Sequence, residues 1–191
     1  ALDSGVTNPK TAKEDYKIRL FTTTDTLPAD STTYRIIVSS LRNIRVSVSP
    51  IVPGASSQYK VQAQVGGAGA LNVNQDSITL IFPADTTLPS SIAANLVTVN
   101  GTTLQMRPTI DITQRKMTVL LPVRIENDSE FTVTVSSEAN IKNPSRDGMY
   151  KMKVFTSKEI NPVESEPYQI GQSLLGDVKV SLSTSLVEST N

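Results

Sequence analysis

The sequence predicts an all-β chain built from antiparallel sheets, and three observations carry that prediction. Apolar residues recur with a period of two in one segment after another. Thr, Ser and Val are abundant, and few stretches favour a helix. A stretch near the amino terminus also returns near the carboxy terminus. A period of two sends alternate side chains to opposite faces of a strand, one toward a core and one toward water. β-Branched and hydroxyl side chains suit such a pleated, half-buried surface. Thr and Ser hydroxyls keep its outer face soluble without much charge.

The internal repeat sets the organisation. Asn8-Pro9 returns as Asn143-Pro144, and Tyr16–Thr22 returns as Tyr150–Thr156. Pro28, Ser31, Tyr34 and Ile36 return as Pro162, Ser165, Tyr168 and Ile170, and Ile44–Ser49 as Val178–Ser183. The offset is roughly 134 residues, a spacing that marks a tandem array. The chain therefore reads as a window on such an array, with partial units at both ends. Residues 1–41 are expected to hold the end of a preceding unit and a linker. Residues 42–171 form one complete unit of about 130 residues, large enough to bury its own core. Residues 172–191 begin the next unit. With Ala1 rather than Met at the first position, the chain is expected to be a processed product or a fragment.

The elements follow in order. Tyr16–Thr22 closes the preceding unit, and in the linker after it Tyr34 and Ile36 read as a short strand or a packing anchor. Ile44, Val46 and Val48 alternate, and Pro50, Pro53, Gly54 and Ser56 turn the chain. Tyr59, Val61, Ala63 and Val65 alternate next. Gly66-Gly67-Ala68-Gly69 reads as a loose connection, because it lacks the Lys-Ser/Thr of a phosphate loop and precedes a strand. Ile78, Leu80 and Phe82 share a face opposite Ile81, and Pro83 ends that strand because proline cannot donate to a ladder. Ser90–Asn95, after Pro89, reads as one helical turn. Leu96–Val99 should pair with Thr102–Met106, because Asn100-Gly101 accepts the positive φ angles of a type I′ hairpin. Met117, Val119 and Leu121 alternate up to Pro122. Glu126–Glu130 reads as a polar hairpin turn holding Val123–Ile125 and Phe131–Val135 in register. Tyr150, Met152 and Val154 form the last strong strand, followed by a linker with Tyr168 and Ile170. About seven to nine short strands separated by turns suggest an antiparallel Ig-like β-sandwich, with a closed barrel as the alternative. Val46, Val61, Leu80, Val119, Val133 and Val154 are expected to share one core.

Composition excludes several function classes. Lys plus Arg (18) equals Asp plus Glu (18), so the basic excess of a nucleic-acid binder is missing. No apolar run approaches the roughly 18 residues of a membrane-spanning helix. Without His or Cys, the common triads, zinc sites and disulfides are unavailable. Asp85, Asp111 and Asp147 fall in turns and read as solvated loop charges rather than a glycosidase pair. The densest acidic cluster is Glu126, Asp128 and Glu130. Carboxylates gathered by a loop suit calcium, so these three are the weak metal candidates. No EF-hand pattern accompanies them, and no catalytic or cofactor-binding residue is assigned. An internal Lys–Asn cross-link would need Lys, Asn and an acid buried together.

Three stretches resemble a known family: Asp76–Pro83, Leu88–Ile92 with Val97–Gly101, and Ala139–Pro144 with Gly148–Thr156. They look like the Ig-like module that repeats in tandem in large bacterial surface proteins of the S-layer-like and adhesin-like kind. The resemblance covers nearly all of residues 42–171, and its motifs are strand ends, a hairpin and a proline turn. It implies a cell-surface or extracellular, non-enzymatic module acting as a spacer or lattice element. Its expected partners are neighbouring repeats of the same protein, with head-to-tail homo-assembly and no nucleic acid or membrane insertion. The alternative it allows is an adhesin or carbohydrate-binding module with its site on loops at one end.

Overall fold

The computed structural model describes residues 8, 9 and 11–171, and these are all-β. Four short strands come first: β1 (Lys13–Tyr16), β2 (Arg19–Leu20), β3 (Ala29–Asp30) and β4 (Tyr34–Ile36). Then follow β5 (Arg42–Ser49), β6 (Gln58–Gln64), β7 (Ser77–Ile81), β8 (Val97–Val99), β9 (Thr102–Thr103) and β10 (Thr109–Asp111). The last are β11 (Lys116–Leu120), β12 (Glu130–Val135), β13 (Gly148–Tyr150), β14 (Lys153–Thr156), β15 (Val163–Glu164) and β16 (Tyr168–Ile170). The described helical residues lie in two 3-10 turns, Ala94–Leu96 and Ser137–Ala139. No described helix is long and apolar enough to cross a membrane.

Two five-stranded antiparallel sheets dominate, in the orders β10-β11-β7-β14-β15 and β5-β6-β12-β8-β9. One apolar cluster running from Leu41 to Ile170 joins them. β6 places Tyr59, Val61 and Ala63 in it, and β12 places Phe131, Val133 and Val135. From the other sheet come Ile78 and Leu80 on β7, Met117 and Val119 on β11, and Val154 on β14. The strict alternation of burial along β6 and β12 is the period-two pattern of the sequence made physical. Each fully buried aliphatic side chain contributes roughly 1.5–3 kcal/mol through the water it no longer orders.

The Asn100-Gly101 turn forms as expected, with φ angles of 50° and 79° joining β8 to β9. Four expectations need correction. Val46 is half-buried and packs against the cluster from its side, because β5 is the edge strand of its sheet. Val123–Ile125 does not pair with β12, which is taken on both sides by β6 and β8. Ile125 instead bridges Leu71. The helical turn starts later than Ser90, because Ile92 is anchored in the core and Ala93 is extended (φ −70°, ψ 144°). Tyr150–Val154 is broken between β13 and β14, which join different sheets, and β5 through β16 are more numerous than the expected strands. The expected first strand of a following unit, Val178–Ser183, lies outside the described residues.

Candidate functional site

The three acidic candidates do not converge. The Asp128 carboxylate is 2.5 Å from the Arg42 guanidinium, and Glu126 is 2.7 Å from Arg124. Glu130 opens β12 opposite Gln64 and lines a shallow pocket with Asn43, Arg45 and Gln62. Two of the three thus face arginines, in half-exposed pairs of the kind worth about 0–1 kcal/mol. Among the described residues no group of three or more acidic side chains is placed to hold a metal ion.

The glycine run has a role that its sequence did not suggest. Glu159, which follows β14, is 3% exposed and points into the Gly66–Gly69 loop. Its Oε1 accepts from the Gly66 N–H at 3.0 Å and from the Ser39 hydroxyl. The same hydroxyl accepts from the Ala68 N–H at 3.2 Å. A Cβ on Gly69 would lie 2.7–2.8 Å from the Glu159 carboxyl atoms, and one on Gly66 would lie 2.7 Å from Oε1. The glycines are therefore a cradle shaped by the absence of side chains. Ser39 belongs to the linker before β5, so this contact fastens the linker to the sheets. Glu159 Oε2 is buried without a hydrogen-bond partner among the described residues. The one sequence signal was the acid at the matching position of the repeat, Asp25.

Two further buried polar groups organise loops. Asn143 is 2% exposed; its Oδ1 accepts from the Tyr59 hydroxyl at 2.8 Å. Its Nδ2 donates to the Pro50 carbonyl (3.0 Å), the Val52 carbonyl (2.8 Å) and Ser57 Oγ (2.9 Å). No lysine is buried among the described residues, so the three groups of a Lys–Asn cross-link are not assembled there. Asp76, 5% exposed, accepts from the Asn72 N–H at 2.8 Å and the Ser157 hydroxyl at 2.7 Å, with Lys158 at 3.4 Å. Burial pushes its carboxyl up, but the Asn72 N–H, the Ser157 hydroxyl and Lys158 outweigh burial and hold it below the ordinary range.

The amino-terminal strands pair with one another as two two-stranded ribbons, β1 with β4 and β2 with β3. Tyr16 faces Tyr34, Arg19 faces Asp30, and Leu20 faces Ala29. The carboxy-terminal strands repeat this register: Tyr150 faces Tyr168, Lys153 faces Glu164, and Val154 faces Val163. The supporting bonds repeat too. The Ile18 N–H donates to Ser31 Oγ at 3.0 Å, as the Met152 N–H does to Ser165 Oγ at 3.0 Å. The Asp25 N–H donates to Thr22 Oγ1 at 2.8 Å, as the Glu159 N–H does to Thr156 Oγ1 at 2.9 Å. The copies part at the open end, where a bulge sets Ile36 opposite Lys13 while Ile170 faces Gly148, and above all in burial. Met152 and Val154 are 0% exposed, whereas Ile18 and Leu20 are 61% and 68% exposed. β14 pairs with β7 on its second edge, while β2 has no second neighbour among the described residues. Ile18, Leu20, Ala29, Asp30 and Ser31 line an apolar depression of about 340 Å³ on this face.

Neither a protein-family model nor a curated protein sequence matches the chain. Among solved structures, the chain is similar to the crystal structure of BslA, a bacterial hydrophobin, at 16% identity and a TM-score of 0.42 over 70% of this chain and 98% of that one.

Proposed function

We propose that this chain is a non-enzymatic structural module of a repetitive bacterial surface or extracellular protein. In this reading residues 42–171 are one Ig-like sandwich of a tandem series, and residues 1–41 and 172–191 belong to its neighbours. The observation that carries it is the pair of hairpins with matching register and hydrogen bonds, one buried in the sheets and one exposed. A segment that builds the same supersecondary unit twice, but is covered once, fits a series in which each hairpin closes its own unit. The module works mechanically. Each unit folds around its own core, and the linker is held by Ser39, Glu159 and the glycine cradle, which limits hinge motion between units.

The test is direct. Antibodies raised against residues 42–171 are applied to intact cells of the source organism, and the parent polypeptide is sized on a gel. Labelling without permeabilisation, with a parent band larger than the 20.6 kDa chain by whole units, is expected. Labelling seen only after permeabilisation overturns the surface assignment, and a parent with no added unit overturns the repeat.

A further inference from the structure

The complete unit shows how its last hairpin meets its first strand. β5 packs against β15 and β16, and the Glu166 N–H donates to the Ile44 carbonyl at 2.8 Å. Ile44 is buried at this seam. The amino-terminal hairpin is the same structure without its first strand: its position matching Glu166 is Thr32, and its apolar face is open. The chain also repeats the sequence of that first strand without repeating the sequence of its hairpin. Val178-Lys179-Val180-Ser181-Leu182-Ser183 matches Ile44-Arg45-Val46-Ser47-Val48-Ser49, apolar for apolar, basic for basic and serine for serine.

We propose that the amino-terminal hairpin of one copy of this chain docks the segment 178–183 of a second copy, as the complete unit's last hairpin holds β5. This rests on the tandem reading above and names the surface and partner through which units from different molecules join. Val178 enters the apolar depression beside Ser31, and the Thr32 N–H donates to the Val178 carbonyl. Ile18, Leu20 and Tyr34 lose the water that now covers them, and the main-chain bond fixes the register.

Geometry favours a second copy over the same molecule. The hairpin enters the complete unit next to Arg42, at the start of β5. Residue 171 lies beyond the far end of β5, where the Gly171 N–H donates to the Ile51 carbonyl. The eight residues of β5 extend roughly 23 Å at about 3.3 Å per step. The seven steps from residue 171 to residue 178 span at most about 25 Å. A segment tethered at residue 171 starts from the end of β5 opposite the hairpin's entry, and even fully extended it would little more than span β5. A contact between unlike ends is heterologous, so it builds rings where the rotation closes and open chains where it does not.

Sedimentation of the full chain over a wide concentration range tests this. The weight-average mass should rise above 20.6 kDa and continue past the dimer. Leu20→Asp, on the hairpin face, and Val178→Asp, in the segment, should each weaken association about tenfold or more, as loss of a central apolar anchor does. Each should leave the melting transition of the unit unchanged, because Leu20 lies outside the core and residue 178 lies beyond it in sequence. Mixing the two variants should restore a one-to-one complex that grows no further, since one supplies an intact hairpin and the other an intact segment. A chain monomeric at millimolar concentration overturns the proposal. So does association weakened by Leu20→Asp but not by Val178→Asp, which would mean that hairpins meet hairpins. Surface labelling and the size of the parent stand whatever the sedimentation shows, so the two readings fail separately.

Discussion

Removing the Asn143 side chain is the sharpest test of how the loops are held. Asn143→Ala removes the acceptor of the Tyr59 hydroxyl and the donor to Pro50, Val52 and Ser57. These losses are unequal. The Pro50 carbonyl keeps the Ser57 hydroxyl at 2.6 Å, and the Val52 carbonyl keeps the Ala55 N–H at 3.2 Å. The Tyr59 hydroxyl, on a residue 0% exposed, loses its Asn143 acceptor. A buried hydroxyl that loses its acceptor costs about 1–3 kcal/mol, and the three other lost bonds about 0.5–1.5 kcal/mol each, so a total of roughly 2.5–7.5 kcal/mol is expected. A double-mutant cycle with Tyr59→Phe isolates the main part. The ring itself stays, packed edge-on against Phe82 with centroids 5.3 Å apart. Tyr59→Phe alone strands the Asn143 Oδ1 and should destabilise. In the Asn143→Ala background it removes the hydroxyl that lost its acceptor, and should be neutral or stabilising. Urea titrations of the four proteins, extrapolated linearly, give the coupling, expected at about 1–3 kcal/mol. Additive effects would refute the account, as would an Asn143→Ala penalty below about 1 kcal/mol.

The other expectations can be measured on the same preparation. Val133→Asp puts a carboxylate among side chains that are fully buried at the centre of β12; the cost of several kcal/mol should unfold the unit, and a melt like the parent's would show that the inward face is misassigned. Gly69→Ala drives a Cβ into the Glu159 carboxyl and should cost about 1–3 kcal/mol by overpacking, with the linker's amide exchange at Ser39 and Ser40 accelerated; unchanged exchange would separate the cradle from the linker. Asp76 has a lowered folded pKa, so its stabilising contribution is complete above the unfolded value of about 4 and disappears as pH falls through the folded one. The Asp76→Asn penalty in urea should therefore be full at neutral pH and shrink on acidification below about 4, and a penalty independent of pH would contradict the assigned charge.

Local rules were legible in the residues because they act over short distances. Alternation along Tyr59–Val65 and Phe131–Val135 reported which face is buried, since a strand's side-chain period is fixed by its backbone. Asn100-Gly101 reported a hairpin, because few other pairs accept two consecutive positive φ angles. The candidate site was less legible. Glu126, Asp128 and Glu130 are neighbours in sequence, but Arg42, distant along the chain, captures one of them and Arg124 another. The residues that organise the loops, Asn143 and Glu159, carry no local mark. Their roles come from the Tyr59 hydroxyl and the Gly66–Gly69 cradle, brought in by sheet pairing.

The two hairpins separate these levels most cleanly. Between Tyr16 and Tyr34, and between Tyr150 and Tyr168, the chain adopts the same register and the same Ser-to-backbone bonds, because those bonds link groups within a short stretch that the repeated residues specify by themselves. Whether such a hairpin is core or surface is set elsewhere. Val154 is buried because β7 occupies its outer edge and β5 closes over the neighbouring strands; Leu20, its counterpart, meets neither and faces water. The sequence by itself determined the hairpin and its register. The tertiary structure alone decided its burial, because apolar surface leaves water only when a distant segment of the chain, or of another copy, is there to cover it.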